Sequence, residues 1–310
     1  MARSWLEYRS PAWVQWCPGC GNYGILTAAF KAFAELDLDP AKTVVVSGIG
    51  CSSRIPYYIN VTGVHTIHGR PIPVATGIKL ANPHLTVLVM SGDGDLLGIG
   101  AAHFVALGRR NVDLTVVMHD NAVYGLTKGQ AGPTLPAWVQ TKALRAPNIQ
   151  DALNPLLLAI ASGYTFVARA YAYHVDKLKE IMKEAIKHRG AAFIDVLQPC
   201  PTYNNVMTQQ WYEQRIYYID EQEPDYDATI KSPEERGEKT ARAIAKAMEW
   251  GDRIPLGVIY RDLTKEPFDA RIEKIMPGYL EHPPATRPVH YEGKPLVDPF
   301  KVFTDRVVQA

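Results

Sequence analysis

The 310-residue chain has little cysteine, four residues in all, and no excess of either charge: 33 basic residues face 32 acidic ones, a net charge of +1. Four thiols are too few for a disulfide scaffold in a chain this long. An even balance offers neither a basic face for nucleic acid nor a polybasic anchor for membranes. Long apolar runs are missing too. The longest uncharged stretch, residues 10–30, is broken by Pro11, Gln15, Pro18, Gly19, Gly21 and Asn22, and makes a poor bilayer span. The first seven residues, from Met1 to Glu7, contain no apolar core of a secretory signal. These absences predict a cytoplasmic protein that works in neither membrane nor nucleic acid. One further absence is local: no glutamate occurs between Glu35 and Glu180.

What is present alternates. Ile25, Leu26, Ala29, Phe30 and Phe33 recur at helical spacing and predict a helix over residues 22–35. Apolar runs at 43–47, 85–90, 113–118, 165–171 and 192–197 read as buried strands, with helices expected near 74–81, 96–107, 155–161 and 175–188. Between the first two strands the sequence reads as a loop carrying His65, His68 and Arg70. The segment 124–136, rich in Gly, Thr and Pro, reads as a long functional loop. Strands alternating with helices imply an α/β fold, a doubly wound parallel sheet. Beyond residue 205 the character changes. One helix is expected over 233–250, and seven prolines fall between Pro267 and Pro299. The sequence thus divides into a domain over 1–205 and, over 206–310, a helix with an irregular arm packing on a partner.

In an open parallel sheet, ligands sit outside the carboxyl ends of the strands. Cys51, Asp93, Asn121 and Cys200 all fall just past predicted strand ends. Cys17 and Cys20 form a C-x-x-C, but without a thioredoxin-like context. A four-thiolate zinc site usually pairs two such knuckles within a short span, whereas here the third and fourth cysteines stand alone. Glycine near Cys17 and Cys20, and prolines on both sides of Cys200, suit a [4Fe–4S] cluster. Spacing favours the cluster and leaves zinc open.

Gly92-Asp93-Gly94-Asp95 fails as a calcium loop, because its fifth and twelfth positions would be Leu97 and Phe104. It fails as a dinucleotide fingerprint because Leu97 stands where the third glycine belongs. What survives is an Asp and an Asn at neighbouring strand ends. Together they offer two oxygens to Mg²⁺, which keeps other positions for a diphosphate. The helix expected near Leu96 would aim its free amides at that diphosphate.

Cys17-Pro-Gly-Cys20-Gly, Gly48-Ile-Gly-Cys51-Ser, His65-Thr-Ile-His-Gly-Arg70, Gly92-Asp-Gly-Asp95 and Asn121-Ala-Val-Tyr-Gly-Leu-Thr-Lys-Gly129 together resemble the β subunit of 2-oxoacid:ferredoxin oxidoreductases. The resemblance covers about residues 12–205. It implies thiamine diphosphate (TPP) with Mg²⁺, a [4Fe–4S] cluster on Cys17, Cys20, Cys51 and Cys200, and coenzyme A-dependent oxidative decarboxylation with ferredoxin as acceptor. It further implies that Asp93, Asn121 and the Val123 carbonyl bind Mg²⁺. Gly48, Ile49, Gly50, Ser52, Ser53, Gly92, Gly94, Asp95, Gly125, Leu126 and Thr127 would line the cofactor, with His68 as a further contact. A partner α subunit would supply the glutamate that activates TPP, together with the coenzyme A site, in an αβ or (αβ)2 assembly. The missing glutamate agrees with that division of labour. A self-sufficient TPP decarboxylase, the runner-up, would carry its own.

Within this family Cys51-Ser-Ser-Arg-Ile-Pro-Tyr57 looks most like the 2-oxoglutarate enzymes. Arg54 would then fork onto the second substrate carboxylate; the alternative is an intersubunit ion pair. Arg70 would pair with a phosphate or with the partner's carboxylates. Lys128 would stand near substrate entry, and Leu126 would pack against substrate or thiazolium. A structural metal scaffold without TPP remains as the non-enzyme reading, and needs the pairing of Asp93 with Asn121 to be coincidence.

Overall fold

The computed structural model describes residues 3–295. In chain order its strands are Thr43–Ser47 (β1), Thr62–His65 (β2), Thr86–Gly92 (β3), Leu114–Asp120 (β4), the short pair Val123–Tyr124 (β5) and Gln130–Ala131 (β6), Phe166–Tyr171 (β7), Ala191–Leu197 (β8), Ile216–Tyr218 (β9), Thr229–Ile230 (β10) and Ile254–Asp262 (β11). The central sheet runs β2-β1-β3-β4-β8-β7-β11-β10, with β9 also paired to β11. From β2 to β7 every pairing is parallel.

Strands β1, β4, β7 and β8 are buried along their whole length, which is why they read as unbroken apolar runs rather than alternating ones. Alternate side chains of one strand feed opposite cores. Val45, Leu88, Met90 and Val117 pack under the helices Asn22–Glu35 and Val175–Lys187, which bring Ile25, Phe30, Phe33, Leu178 and Met182. Val44, Val46, Val89 and Val116 face the helices Pro71–Ala81, Ala101–Arg110, Pro155–Ser162 and Arg236–Met248.

The chain runs outward from β1 to β2 and then crosses back to place β3 on the other side of β1. That reversal opens a crevice past the carboxyl ends of β1 and β3, the place where such sheets take ligands. Strands β1, β3, β4 and β8 are consecutive neighbours. The loops carrying Cys51, Asp93, Asn121 and Cys200 therefore lie side by side on one sheet edge.

Three expectations need correction. The segment before His65 is an edge strand, β2, not loop; its exposed Thr62 and Gly63 hid the signal. The helix expected over 96–107 is broken. Gly94–Ile99 forms a wide turn, Gly98 leaves helical geometry at ψ −108°, and a regular helix starts only at Ala101. Residues beyond 205 are also less irregular than expected, because β9, β10 and β11 extend the main sheet. Pro255 and Gly257 disguised β11. Pro255 pairs with Tyr217 of β9, and pairing with β7 begins only at Gly257, so the missing N–H has no second ladder to break. The arm beyond residue 295 lies outside the described residues.

Candidate functional site

Asp93 follows β3 and is 1% exposed, with its Oδ2 accepting from Thr134 Oγ1 at 2.9 Å. Burial raises its carboxyl above the ordinary range. Asn121 follows β4; its Oδ1 accepts from the Val123 amide at 3.0 Å and its Nδ2 donates to Gln198 Oε1 at 2.9 Å. Ala122 takes a left-handed φ of 62°, which turns the chain sharply enough to bring Val123 back beside Asn121. The β5–β6 hairpin then folds over this corner, with Gly132 donating to the Ala122 carbonyl at 2.8 Å.

Asp95 has a different role from lining the cofactor. It is buried, and its oxygens accept from the Ile49 amide at 3.1 Å, the Gly69 amide at 2.7 Å and Ser91 Oγ at 2.8 Å. A Cβ on Gly48 would stand 2.0 Å from Asp95 Oδ2, so only glycine lets the β1 loop close onto this carboxylate. Asp95 thus stitches three loops together. It also holds His68 Nδ1 at 2.6 Å, which leaves the half-exposed ring presenting Nε2 outward. Ser53 is buried, its hydroxyl 2.6 Å from Ser91 Oγ, and Ser52 is buried beside it. Gly94 packs against the Tyr124 ring, which a Cβ there would meet at 2.3 Å.

The four cysteines converge. Cys17, Cys20, Cys51 and Cys200 line one cavity of about 200 Å³ with Asn121, Gly125, Leu126, Gln198 and Arg54. Cys20 is buried, and burial pushes its thiol up to about 12, with the other three cysteines adding to the shift. Burial raises Cys51 likewise, with Cys200 the next cause. Gln198 Nε2 lies 3.4 Å from Cys20 Sγ, and Trp16 Nε1 donates to the Cys51 carbonyl at 2.6 Å. Gly21 donates to the Pro199 carbonyl at 3.2 Å, tying the C-x-x-C segment to the Cys200 loop.

A second, open cavity of about 470 Å³ adjoins this one and shares Gln15, Arg54 and Leu126 with it. Ala12, Trp13, Ile49, Gly50, Tyr57, Tyr58 and His65 complete its wall. Arg54 Nη1 donates to Gln15 Oε1 at 2.9 Å. Leu126, Thr127 and Lys128 are exposed on the hairpin turn. Thr127 Oγ1 donates to Gln130 Oε1 at 2.5 Å, so within this chain it serves the turn. Arg70 donates to the Gly69 carbonyl, next to it in the chain. Thr134, Asp120, Ser91 and Gln198 are site-forming residues that the sequence reading missed. Ser91 and Asp120 each stand next to a motif without belonging to it, and Thr134 lies in the loop marked as functional.

Residues 48–196 match the family described as "Thiamine pyrophosphate enzyme, C-terminal TPP binding domain". Residues 200–276 match the C-terminal part of the pyruvate ferredoxin oxidoreductase β chain, a second family. Subunit beta of 2-oxoacid:ferredoxin oxidoreductase 2 from Aeropyrum pernix is 63% identical over 308 residues, covering 99% of each chain. The chain belongs to the 2-oxoacid:ferredoxin oxidoreductase β subunits. The Saccharolobus solfataricus subunit is 56% identical over 96% of this chain and 97% of its own. The 2-oxoglutarate synthase subunit KorB of Methanocaldococcus jannaschii is 47% identical over 60% of this chain and 69% of its own. Among solved structures, a 2-oxoglutarate:ferredoxin oxidoreductase from Magnetococcus marinus, with 2-oxoglutarate, coenzyme A and succinyl-CoA bound, superposes with a TM-score of 0.81. It is 35% identical, over 88% of this chain and 91% of that one. This β subunit is therefore an oxidoreductase subunit with a TPP-binding domain on a mostly parallel α/β sheet. Among its described residues no helix is long and apolar enough to cross a membrane.

Proposed function

We propose that this β subunit holds TPP through Mg²⁺ at Asp93, Asn121 and the Val123 carbonyl, and a [4Fe–4S] cluster on Cys17, Cys20, Cys51 and Cys200. With an α partner it oxidatively decarboxylates 2-oxoglutarate to succinyl-CoA and CO2, or runs the reverse, and passes two electrons to ferredoxin. The observation that carries the reading is the shared wall: the cysteine cavity and the open cavity meet at Gln15, Arg54 and Leu126. Groups held in the two cavities would then be neighbours, as electron transfer between them requires.

The residues present fit both groups. Four thiols line one cavity, yet among the described residues no three Cys, His, Asp or Glu side chains gather closely enough for a single metal ion. Four thiolates are also the donor set that a [4Fe–4S] cluster takes. Metal binding also resolves the burial of Cys20 and Cys51, since iron takes the place of the thiol protons. At the other corner, two side-chain oxygens and a carbonyl are the hard donors Mg²⁺ takes while keeping sites for diphosphate oxygens.

When bound, TPP supplies the carbon nucleophile that attacks the 2-oxo group and then stores the electrons of decarboxylation. This chain orients it. His68, fixed by Asp95, would present its other ring nitrogen to bound TPP, and Leu126, on the wall of both cavities, would pack against it. Arg54 waits at the mouth for a distal carboxylate, with Lys128 on the turn beyond. The chain has no glutamate between residues 35 and 180, so the activating acid comes from the α subunit, along with the coenzyme A site, in an αβ or (αβ)2 assembly. The 2-oxoglutarate-binding neighbour in the structural comparison favours the diacid.

The test is reconstitution. The isolated chain should be inert with any 2-oxoacid, and adding the α partner should give coenzyme A-dependent viologen reduction, fastest with 2-oxoglutarate. Decarboxylation by this chain alone would favour a self-sufficient TPP enzyme, and one zinc without iron in anaerobic protein would remove the electron-transfer reading.

A further inference from the structure

We infer that Thr134 is a positioning residue for the metal ligand Asp93, and that Gly132 clears the space this requires. The inference rests on the Mg²⁺–TPP reading above, and concerns residues to which that reading gives no part.

Thr134 is buried, and its hydroxyl, which has one proton to donate, lies 2.9 Å from Asp93 Oδ2 and 2.6 Å from Asp120 Oδ1. Asp93 and Asp120 are themselves 1% and 5% exposed, and Asp120 and Thr134 line a cavity of about 330 Å³. Behind Asp120 lie Asp195, which burial raises and Arg169 opposes, and the Arg169 guanidinium, whose Nε donates to Asp195 Oδ2 at 2.9 Å. The buried cation of this row is thus engaged at its far end. The Thr134 hydroxyl is within hydrogen-bond distance of both Asp93 and Asp120.

Backbone geometry points the same way. Val123 pairs with Ala131 in the hairpin, and the Gly132 amide donates to Ala122 at 2.8 Å. That fixes residues 132–134 against the loop carrying Asn121. A Cβ on Gly132 would stand 2.6 Å from Asp93 Oδ2 and 2.7 Å from the Ala122 carbonyl carbon. The hairpin's return strand is therefore a wall behind the metal corner, with a gap at 132 and a donor at 134. Holding Oδ2 would commit one carboxylate oxygen to the protein and leave the other available to the metal. Hydrogen bonds to a ligating carboxylate typically change metal affinity by about 10–100-fold.

The experiment uses the assembled complex stripped of Mg²⁺ and TPP. Mg²⁺ is titrated at saturating TPP, with cofactor binding read by tryptophan fluorescence and iron content measured alongside. Thr134→Val should weaken apparent Mg²⁺ affinity by about 10–100-fold with iron content unchanged, and Thr134→Ser should restore it to within about threefold. If the valine variant does not assemble, Thr134→Ala removes the hydroxyl without bulk and gives the same readout. Unchanged Mg²⁺ affinity without the hydroxyl, or a serine variant no better than valine, overturns the positioning role alone. A wild-type complex that binds neither Mg²⁺ nor TPP overturns the underlying reading instead.

Discussion

The buried corner around Asp93 and the mouth around Arg54 share one sheet edge, but the chain finishes only the first. At the corner, Asp93, Asp95, Ser52, Ser53, Asn121 and Thr134 are all buried, and Asp95 alone accepts from two backbone amides, a serine and a histidine. At the mouth, Trp13 is 83% exposed, Tyr57 55% and Leu126 43%, with Ile67 exposed on the loop beyond. Large apolar side chains clustered around a polar cavity mark a surface that another chain covers. A self-contained corner can hold ligand geometry by itself. An open apolar rim fits a site completed by an α subunit, which is where the missing glutamate would arrive.

Mutations on the two sides should therefore fail differently, and the largest effect tests their connection. Cys200→Ala should abolish electron delivery to ferredoxin and bleach the broad visible absorbance. Bound thiamine should stay, because the hydrogen bonds from the Cys200 loop to the corner come from Gln198 and Asn204, not from Cys200 itself. If thiamine were lost together with iron, the two cavities would be one cooperative unit. Asp93→Ala should do the converse, lowering turnover by more than about a hundredfold through lost Mg²⁺ while iron stays, as expected when a first metal ligand is removed. Full thiamine occupancy in that variant would show the metal corner to be misplaced.

The buried corner should also be intolerant of volume. Gly48→Ala places a methyl 2.0 Å from a carboxylate held in four hydrogen bonds. Overpacking of this kind costs about 1–3 kcal/mol, and the upper end is expected here because Asp95 cannot move without releasing three loops. Thermal unfolding of the cofactor-free complex measures it. Leu126→Ala, at the exposed rim, should leave the same transition unchanged, and equal losses would erase the contrast between the regions.

The same contrast governs what the sequence disclosed. Buried parallel strands such as β1 and β8 were legible because both faces are covered, so apolar residues run unbroken. Strand β2 and the C-terminal β11 were not. Thr62 and Gly63 at a sheet edge need no apolar side chains, and Pro255 and Gly257 are tolerated only because of how β11 divides its pairing. At the site, the cysteines and the Gly-Asp-Gly turn announce their chemistry through spacing. Thr134 meets Asp93 and Gln198 meets Asn121 across 41 and 77 residues of chain, and no local pattern encodes such a contact. Asp95 was named for the cofactor, yet its hydrogen bonds go to the protein. A motif gives residue types at a turn, not which way each side chain faces.

Arg54 offers the smallest and most selective break. Its guanidinium lines both cavities and donates to Gln15 through Nη1, so it can be held in place while its remaining donors face the open cavity. A five-carbon diacid would place its distal carboxylate against those donors, whereas pyruvate has no group to put there. Losing one charge-assisted pair costs about 2 kcal/mol, roughly a thirtyfold fall in kcat/KM. Arg54→Ala in the assembled complex should impose that loss on 2-oxoglutarate and change pyruvate less than about threefold. Gln15→Ala should act the same way but more weakly, since it frees the arginine without removing its charge. Equal losses for both substrates would place Arg54 in the subunit interface, and the rim would then have been built for the α subunit alone.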